Sequence, residues 1–339
     1  MAESRKHEKY DALIYSCCAL APVRTAVAHP CDEPSLASAL GAARAKIIKP
    51  ILVGPEAKIR ALAASRSLDL AGLQLVDTSN SHSTAEKAVE LVRAGEADAL
   101  MKGSLHTDEL MAEVVRKDTG IRNERRISHV FVMDVPTYPK PLFITDAAAN
   151  ISPTLEDKAD IVRNAIDLAR SLRISVPKVA ILSAVETITS KIPSTIGAAS
   201  LCKMADREQI TGALLDGPLA LDNAISREAA DIKHIRSPVA GEADILLVPD
   251  LEAGNMLAKE LSFLAKADGA GIVLGAHVPI ILTSRADNLR TRMASCAVAA
   301  LYADARRGAT AGIRKFAGGG APSPVSRSKS VSTGHAGRK

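Results

Sequence analysis

Ser284, Arg285 and Asp287 stand together in LTSRADNLRTR (282–292), where an apolar run gives way to a helical pattern. A hydroxyl donates one hydrogen bond, a guanidinium offers a planar fork, and a helix start adds free N–H groups. That combination suits an oxyanion such as phosphate. The competing reading is a serine that caps the helix beside a surface arginine. A second candidate is KGSLHT (102–107), where Lys102, Gly103, Ser104 and His106 occupy a turn between strand and helix. Its outline is that of a phosphate cradle, although the P-loop signature is absent, and a lone histidine in a turn is as readily a surface or capping residue. A third is GIRNERRISHV (120–130), with Arg125 and Arg126 ahead of Ser128. This is either a solvated charged face or a docking patch for an acidic cofactor such as coenzyme A. Finally, LLDGPLALDNAIS (214–226) contributes Asp216 and Gly217, and VPDLEAGN (248–255) contributes Asn255. Acids in these two segments, Asp216, Asp222, Asp250 and Glu252, resemble metal ligands in type. Asp before Gly is ordinary turn chemistry, however, and acids at a helix start complement its dipole, so no metal is expected.

The elements that must hold these residues alternate. Apolar runs at 23–28, 50–54, 73–78, 97–103, 129–135, 141–148, 178–184, 210–218, 243–250, 271–275 and 278–284 read as strands. Helical patterns at 34–46, 56–64, 83–94, 154–172, 195–205, 252–266 and 288–304 lie between them. Thr154 with Asp157 three residues on predicts a capping box, followed by Leu155, Val162, Ile166, Ala169 and Leu172 on one helical stripe. Near-continuous apolar strands alternating with helices predict an α/β fold with a largely parallel sheet. Such a sheet takes ligands beyond the carboxyl ends of its strands, where the polar candidate segments fall. GAGIVLG (269–275) is glycine-rich but strand-like, a weak nucleotide signal.

Composition narrows the classes. The chain has 339 residues, 47% hydrophobic and 24% charged, enough for two ordinary globular domains. Four Phe, four Tyr and no Trp leave little for stacking bases, so a single-stranded nucleic-acid platform is not expected. No apolar run reaches a membrane span, and MAESRKHEKY does not read as a secretory signal; a cytoplasmic protein with no membrane partner is expected. Eight positive and no acidic charges lie beyond Ala305, so removing eight from the net +5 leaves residues 1–304 at −3. The basic balance belongs to a Gly/Ser/Pro-rich tail expected to be disordered over 311–339. Five irregularly spaced cysteines, with no C-x-x-C pair, fit reduced thiols.

Taken together, KGSLHT, ISHVFVMDVP, LLDGPLALDNAIS, GEADILLVPDLEAGNML and PIILTSRAD closely resemble the phosphate acetyltransferase/phosphate butyryltransferase family over about residues 20–304. The DGPLALDNAIS wording is nearer the butyryl branch. The resemblance implies exchange of an acetyl or butyryl group between coenzyme A and inorganic phosphate, with coenzyme A a substrate rather than a tightly held cofactor. It also implies a homodimer and two three-layer α/β domains facing a cleft, in the manner of isocitrate and isopropylmalate dehydrogenases. The first domain would be discontinuous, 1–150 with 280–310, and the second would span 151–279. By resemblance Arg285 binds phosphate and Ser284 hydrogen-bonds the reacting sulfur or oxyanion, with Asp287 the nearest carboxylate. Lys102, Gly103, Ser104, His106, Asp216, Gly217 and Asn255 are then expected around the phosphate and acyl group, and Arg125, Arg126 and Ser128 around coenzyme A. Two positions depart from the acetyl branch. Thr291 stands where that branch has a proposed aspartate base, and residues 107–115 lack its arginine. A sensor of coenzyme A or acyl phosphate without catalysis, and a dehydrogenase of the same fold, are the alternatives.

Overall fold

Near-continuous apolar runs separated by helices build a three-layer arrangement in the computed structural model, which describes residues 8–283 and 287–317, with side chains to Arg307. The strands are β1 (Val23–Ala28), β2 (Ile48–Gly54), β3 (Gln74–Asp77), β4 (Ala99–Lys102), β5 (Ser128–Asp134), β6 (Leu142–Thr145), β7 (Lys178–Leu182), β8 (Leu214–Leu219), β9 (Ile245–Leu247), β10 (Asp268–Leu274) and β11 (Ile280–Ile281). Helices α1 (Glu8–Cys17), α2 (Glu33–Arg44), α3 (Glu56–Ser65), α4 (Ser81–Arg93) and α5 (Thr107–Val114) belong to the first half of the chain. They are followed by α6 (Leu155–Ser171), α7 (Pro193–Asp206), α8 (Leu221–Ile225), α9 (Arg227–Ile232), α10 (Leu251–Phe263) and α11 (Leu289–Ala317). Residues up to Ala305 form one compact unit; beyond it the backbone of α11 continues helical to Ala317, past residue 311, where the tail was expected to begin.

The strands form one sheet in the order β3-β2-β1-β4-β11-β10-β5-β6-β9-β7-β8. Pairing is parallel within β3-β2-β1-β4-β11 and within β6-β9-β7-β8, and antiparallel at β11–β10, β10–β5 and β5–β6. Three successive reversals mean that the two parallel blocks run in opposite directions. The carboxyl ends of β4 and β11 therefore lie at one end of the sheet, and those of β6, β8 and β9 at the other. Sequence grouped all five loops as strand ends facing a ligand; the antiparallel seam separates them.

Strand alternation sorts the core. Val130 and Val132 of β5 join one continuous cluster with α6, α7, α2 and α11. The opposite face is divided. Leu100, Leu105, Leu110 and Val114 pack with α4 and α5, whereas Leu142, Ile144, Leu246 and Ala258 pack with α8 to α10. Capping chemistry follows expectation at α6, where Thr154 and Asp157 make both bonds of the box. Helices α1, α8 and α9 were not expected. All have ten residues or fewer, and their faces are set by packing rather than by periodicity.

Candidate active site

A cavity of about 1080 Å³ opens over β11, β10 and β5, in the gap between the two clusters of the divided face. One wall is the end of β4 with the start of α5, Thr283, and the residues Asp287, Asn288 and Thr291 at the start of α11; the other is one stripe of α10, namely Asn255, Ala258, Lys259, Ser262 and Phe263, with Lys266 just beyond. The steps of three and four along that stripe place a single helical face toward the opening.

Four candidates from the sequence meet here: Lys102, His106, Asn255 and Asp287 all line the cavity. Lys102 is 7% exposed, and its Nζ donates to the carbonyls of Gly103 and Leu105 at 3.2 Å each. It thus carries a cation into a half-dry wall while fixing the turn beneath it. Gly103 sits against the end of β1, its N–H donating to the Ala28 carbonyl at 2.8 Å. A Cβ there would lie 2.5 Å from the carbonyl oxygens of both Ala28 and His29, so the turn can close only with glycine. Ser104 faces the same neighbour, within 2.9 Å of His29 Nδ1 and donating to the His29 carbonyl at 2.8 Å. His106 is the N-cap of α5, its backbone N–H donating to Glu109 Oε2 at 3.3 Å. Asn255 Nδ2 donates to the Ala147 carbonyl at 3.3 Å.

Ser284 and Arg285 lie outside the described residues, but the residues on either side of them are placed. Thr283, Asp287, Asn288 and Thr291 all line the cavity. Arg292, 5% exposed, bridges two of these: its Nη1 donates to Thr283 Oγ1 and its Nε to the Asp287 carbonyl, both at 3.2 Å. Asn288 Oδ1 accepts from the Thr291 N–H at 2.8 Å and so caps α11, the role the competing reading had offered to Ser284.

Other candidates stand elsewhere. Arg125 Nη1 donates to Asp167 Oδ2 of α6 at 2.6 Å, and Arg126 Nε donates to Asn150 Oδ1 at 2.7 Å. Ser128 Oγ accepts from Asn164 Nδ2 at 2.9 Å. These bonds direct all three toward the α6 side of the sheet, away from the cavity face that the next residue, His129, occupies. Asp216 and Gly217 belong to β8, the outermost strand, four strand positions from β5 or roughly 19 Å at the usual interstrand spacing. Asp216 Oδ1 accepts from the Gly217 N–H at 2.9 Å, a local turn bond.

Sequence reasoning passed over His129, Phe131, Lys259, Lys266 and Arg292. Lys259 was legible one helical turn beyond Asn255 on the α10 stripe, with Lys266 seven residues on, past the helix end. His129 and Phe131 look like core positions of a strand, and only the split of the neighbouring core opens them to a cavity. Among the described residues, no group of three or more His, Cys, Asp or Glu is arranged to hold a metal, and no helix is long and apolar enough to cross a membrane.

A three-layer α/β scaffold with a cation-lined cavity at the ends of β4 and β11 defines a protein that handles an anionic substrate. Comparison with known proteins gives the family. The family described as phosphate acetyl/butaryl transferase matches residues 81–300. A phosphate acetyltransferase of Rhizobium meliloti is 66% identical over 301 residues, covering 89% of this chain and 95% of the relative. A phosphate butyryltransferase of Clostridium beijerinckii is 41% identical, covering 87% and 98%. Among solved structures, a branched-chain phosphotransacylase from Enterococcus faecalis V583 superposes with TM-score 0.72 at 30% identity, covering 83% of this chain and 99% of that one. This chain belongs to the phosphate acetyl/butyryl transferase family and is a phosphate acyltransferase.

Proposed function

We propose that the protein reversibly transfers a short acyl group, acetyl by preference, between coenzyme A and inorganic phosphate. The acetyl preference rests on the 66% identity to the Rhizobium meliloti relative, against 41% to the butyryltransferase. The observation that carries the reading is the cavity itself. Lys102, the N-terminus of α5, Thr283 and Asp287 converge on one wall, and Lys259 and Lys266 stand on the other. Orthophosphate needs cations and N–H donors held beside the thioester carbonyl, and a long polyanionic thioester needs an open cleft with basic walls.

In this mechanism Arg285 grips phosphate, and Ser284 hydrogen-bonds the sulfur or the oxyanion. A phosphate oxygen adds to the thioester carbon, the C–S bond breaks, and the thiolate leaves, taking a proton from solvent or from Asp287. In reverse, coenzyme A must lose that proton, since an alkyl thiol with a reference value near 8.5 is mostly protonated at pH 7. Asp287 lines the cavity and Thr291 carries no carboxylate, so Asp287 is the base on this reading. Arg125 and Arg126, which face the α6 side of the sheet, and Asp216 and Gly217, out on β8, take no part in this mechanism. We also read the chain as a cytoplasmic homodimer with two α/β domains, 1–150 with 280–310 and 151–279. The return of β11 to lie beside β4 supports the discontinuous first domain.

The test is release of free thiol from acetyl-CoA that depends on added phosphate, with acetyl phosphate as the matching product. Thiol release indifferent to phosphate would refute the reading.

A further inference from the structure

His129 is the second residue of β5, and its ring lines the cavity while the residue as a whole is 1% exposed. The ring meets Phe131 edge to face, centroids 4.3 Å apart, and its backbone carbonyl accepts from Thr145 Oγ1 at 2.9 Å. Across the ladder, β10 offers Gly271. A Cβ at that position would fall 3.0 Å from His129 Nε2 and 2.7 Å from the Leu282 carbonyl oxygen. The imidazole therefore occupies the space this glycine leaves open, next to the strand end that leads through Thr283 into Ser284 and Arg285. Its Nδ1 is buried and finds no hydrogen-bond partner among the described residues. A protein that leaves such an atom unpaired in a dry site sacrifices stability unless a ligand group completes the bond.

Protonation state decides what the ring can do. Burial pushes its pKa down to about 4, with only the charge of Asp146 opposing that shift. At neutral pH the ring is uncharged and carries one N–H. It is too weak a base to deprotonate a thiol, yet it remains a good donor to a developing oxyanion, which a cavity-lining imidazole can meet without first being stripped of water.

We propose that His129 is a catalytic hydrogen-bond donor whose ring N–H binds the thioester carbonyl oxygen and the oxyanion formed when phosphate adds. This rests on the phosphate acyl-transfer reading above. No proton moves at His129. The carbonyl π electrons go to oxygen as the P–O–C bond forms, return as the C–S bond breaks, and the sulfur leaves as thiolate; the imidazole holds the oxygen throughout.

The experiment compares His129→Leu, which removes the donor, with His129→Asn and His129→Gln, which return an amide N–H near the positions of Nδ1 and Nε2. The leucine variant should lower kcat about 10²–10³-fold, the usual cost of losing one oxyanion donor, with the KM for phosphate unchanged. One of the two amide variants should recover at least tenfold. A leucine variant within threefold of the parent kcat overturns the proposal, as does failure of both amides to exceed leucine. Should the leucine variant not fold, the infrared carbonyl stretch of a ketone analogue of acetyl-CoA bound to the unaltered protein decides. A stretch lowered on binding supports the donor, and an unshifted one overturns it. If the unaltered protein shows no phosphate-dependent thiol release, the parent reading fails. If it is active but indifferent to His129→Leu, only this inference fails.

Discussion

Arg292 ties Thr283 to Asp287 with one guanidinium. Its substitution should therefore act on chemistry through position. Arg292→Met is expected to lower kcat about tenfold and to raise the KM for phosphate, with Arg292→Lys intermediate because a single ammonium cannot reproduce the fork; steady-state kinetics checks this. On the proposed mechanism Arg285→Ala removes a charge-assisted contact to phosphate worth about 1.5–3 kcal/mol, so the KM for phosphate should rise about 10–100-fold while turnover falls. An unchanged KM would place phosphate elsewhere. His129 also carries a stability signature. Its folded value, about 4, is depressed from an unfolded value near 6.5. The unfolded chain thus binds the extra proton between those limits. Stability is full above pH 6.5 and falls as pH drops toward 4, by about 3 kcal/mol in total. Urea midpoints from pH 7 to 4 should show that slope, and His129→Asn should flatten it.

Elements explain why those residues meet. The Gly103 turn closes on the end of β1 through contact with two backbone carbonyls that cannot retreat without opening the ladder. Gly103→Ala should cost about 1–3 kcal/mol in urea denaturation and loosen Lys102 with it. Such features were legible to different degrees. The capped helix after Thr154 and the apolar strands announce themselves by local chemistry and period. Lys102, His106, Asn255 and Asp287 could be picked out because they follow apolar runs in polar turns. The arginines at 125 and 126 could not be assigned that way, since a charge cluster looks the same whether it faces a ligand or, as here, the carboxylates of α6. Strand direction was also hidden. HVFVMDV and GIVLG read as strands, but nothing in an apolar run records whether its partner is parallel, and that alone decides which loops share an end of the sheet. His129 was concealed for a related reason, because a strand residue faces a core or a cavity according to helices far away in sequence.

At the scale of the whole molecule, acyl preference depends on how the apolar part of the cavity near Phe131 and Leu282 fits the chain. One methylene discriminates by only about 1–3 kcal/mol, so a C2 to C6 acyl-CoA series should give a graded decline in kcat/KM rather than a cut-off. A maximum at butyryl would reassign the preference to the branch suggested by DGPLALDNAIS. Light scattering at micromolar concentration should return twice the 35.5 kDa chain mass if the homodimer reading holds.

Because the two parallel blocks run in opposite senses, helices of opposite polarity meet around one opening: α5 and α11 begin there, whereas α10 finishes there. Peptide dipoles give the first two a partial positive charge and the last a partial negative one, which Lys259 and Lys266 offset. A small anion diffusing in thus meets an electrostatic gradient across the width of the opening. On the proposed function phosphate would settle against the α5 and α11 side, and a long thioester, its own charges answered by the lysines, would take the opposite bank.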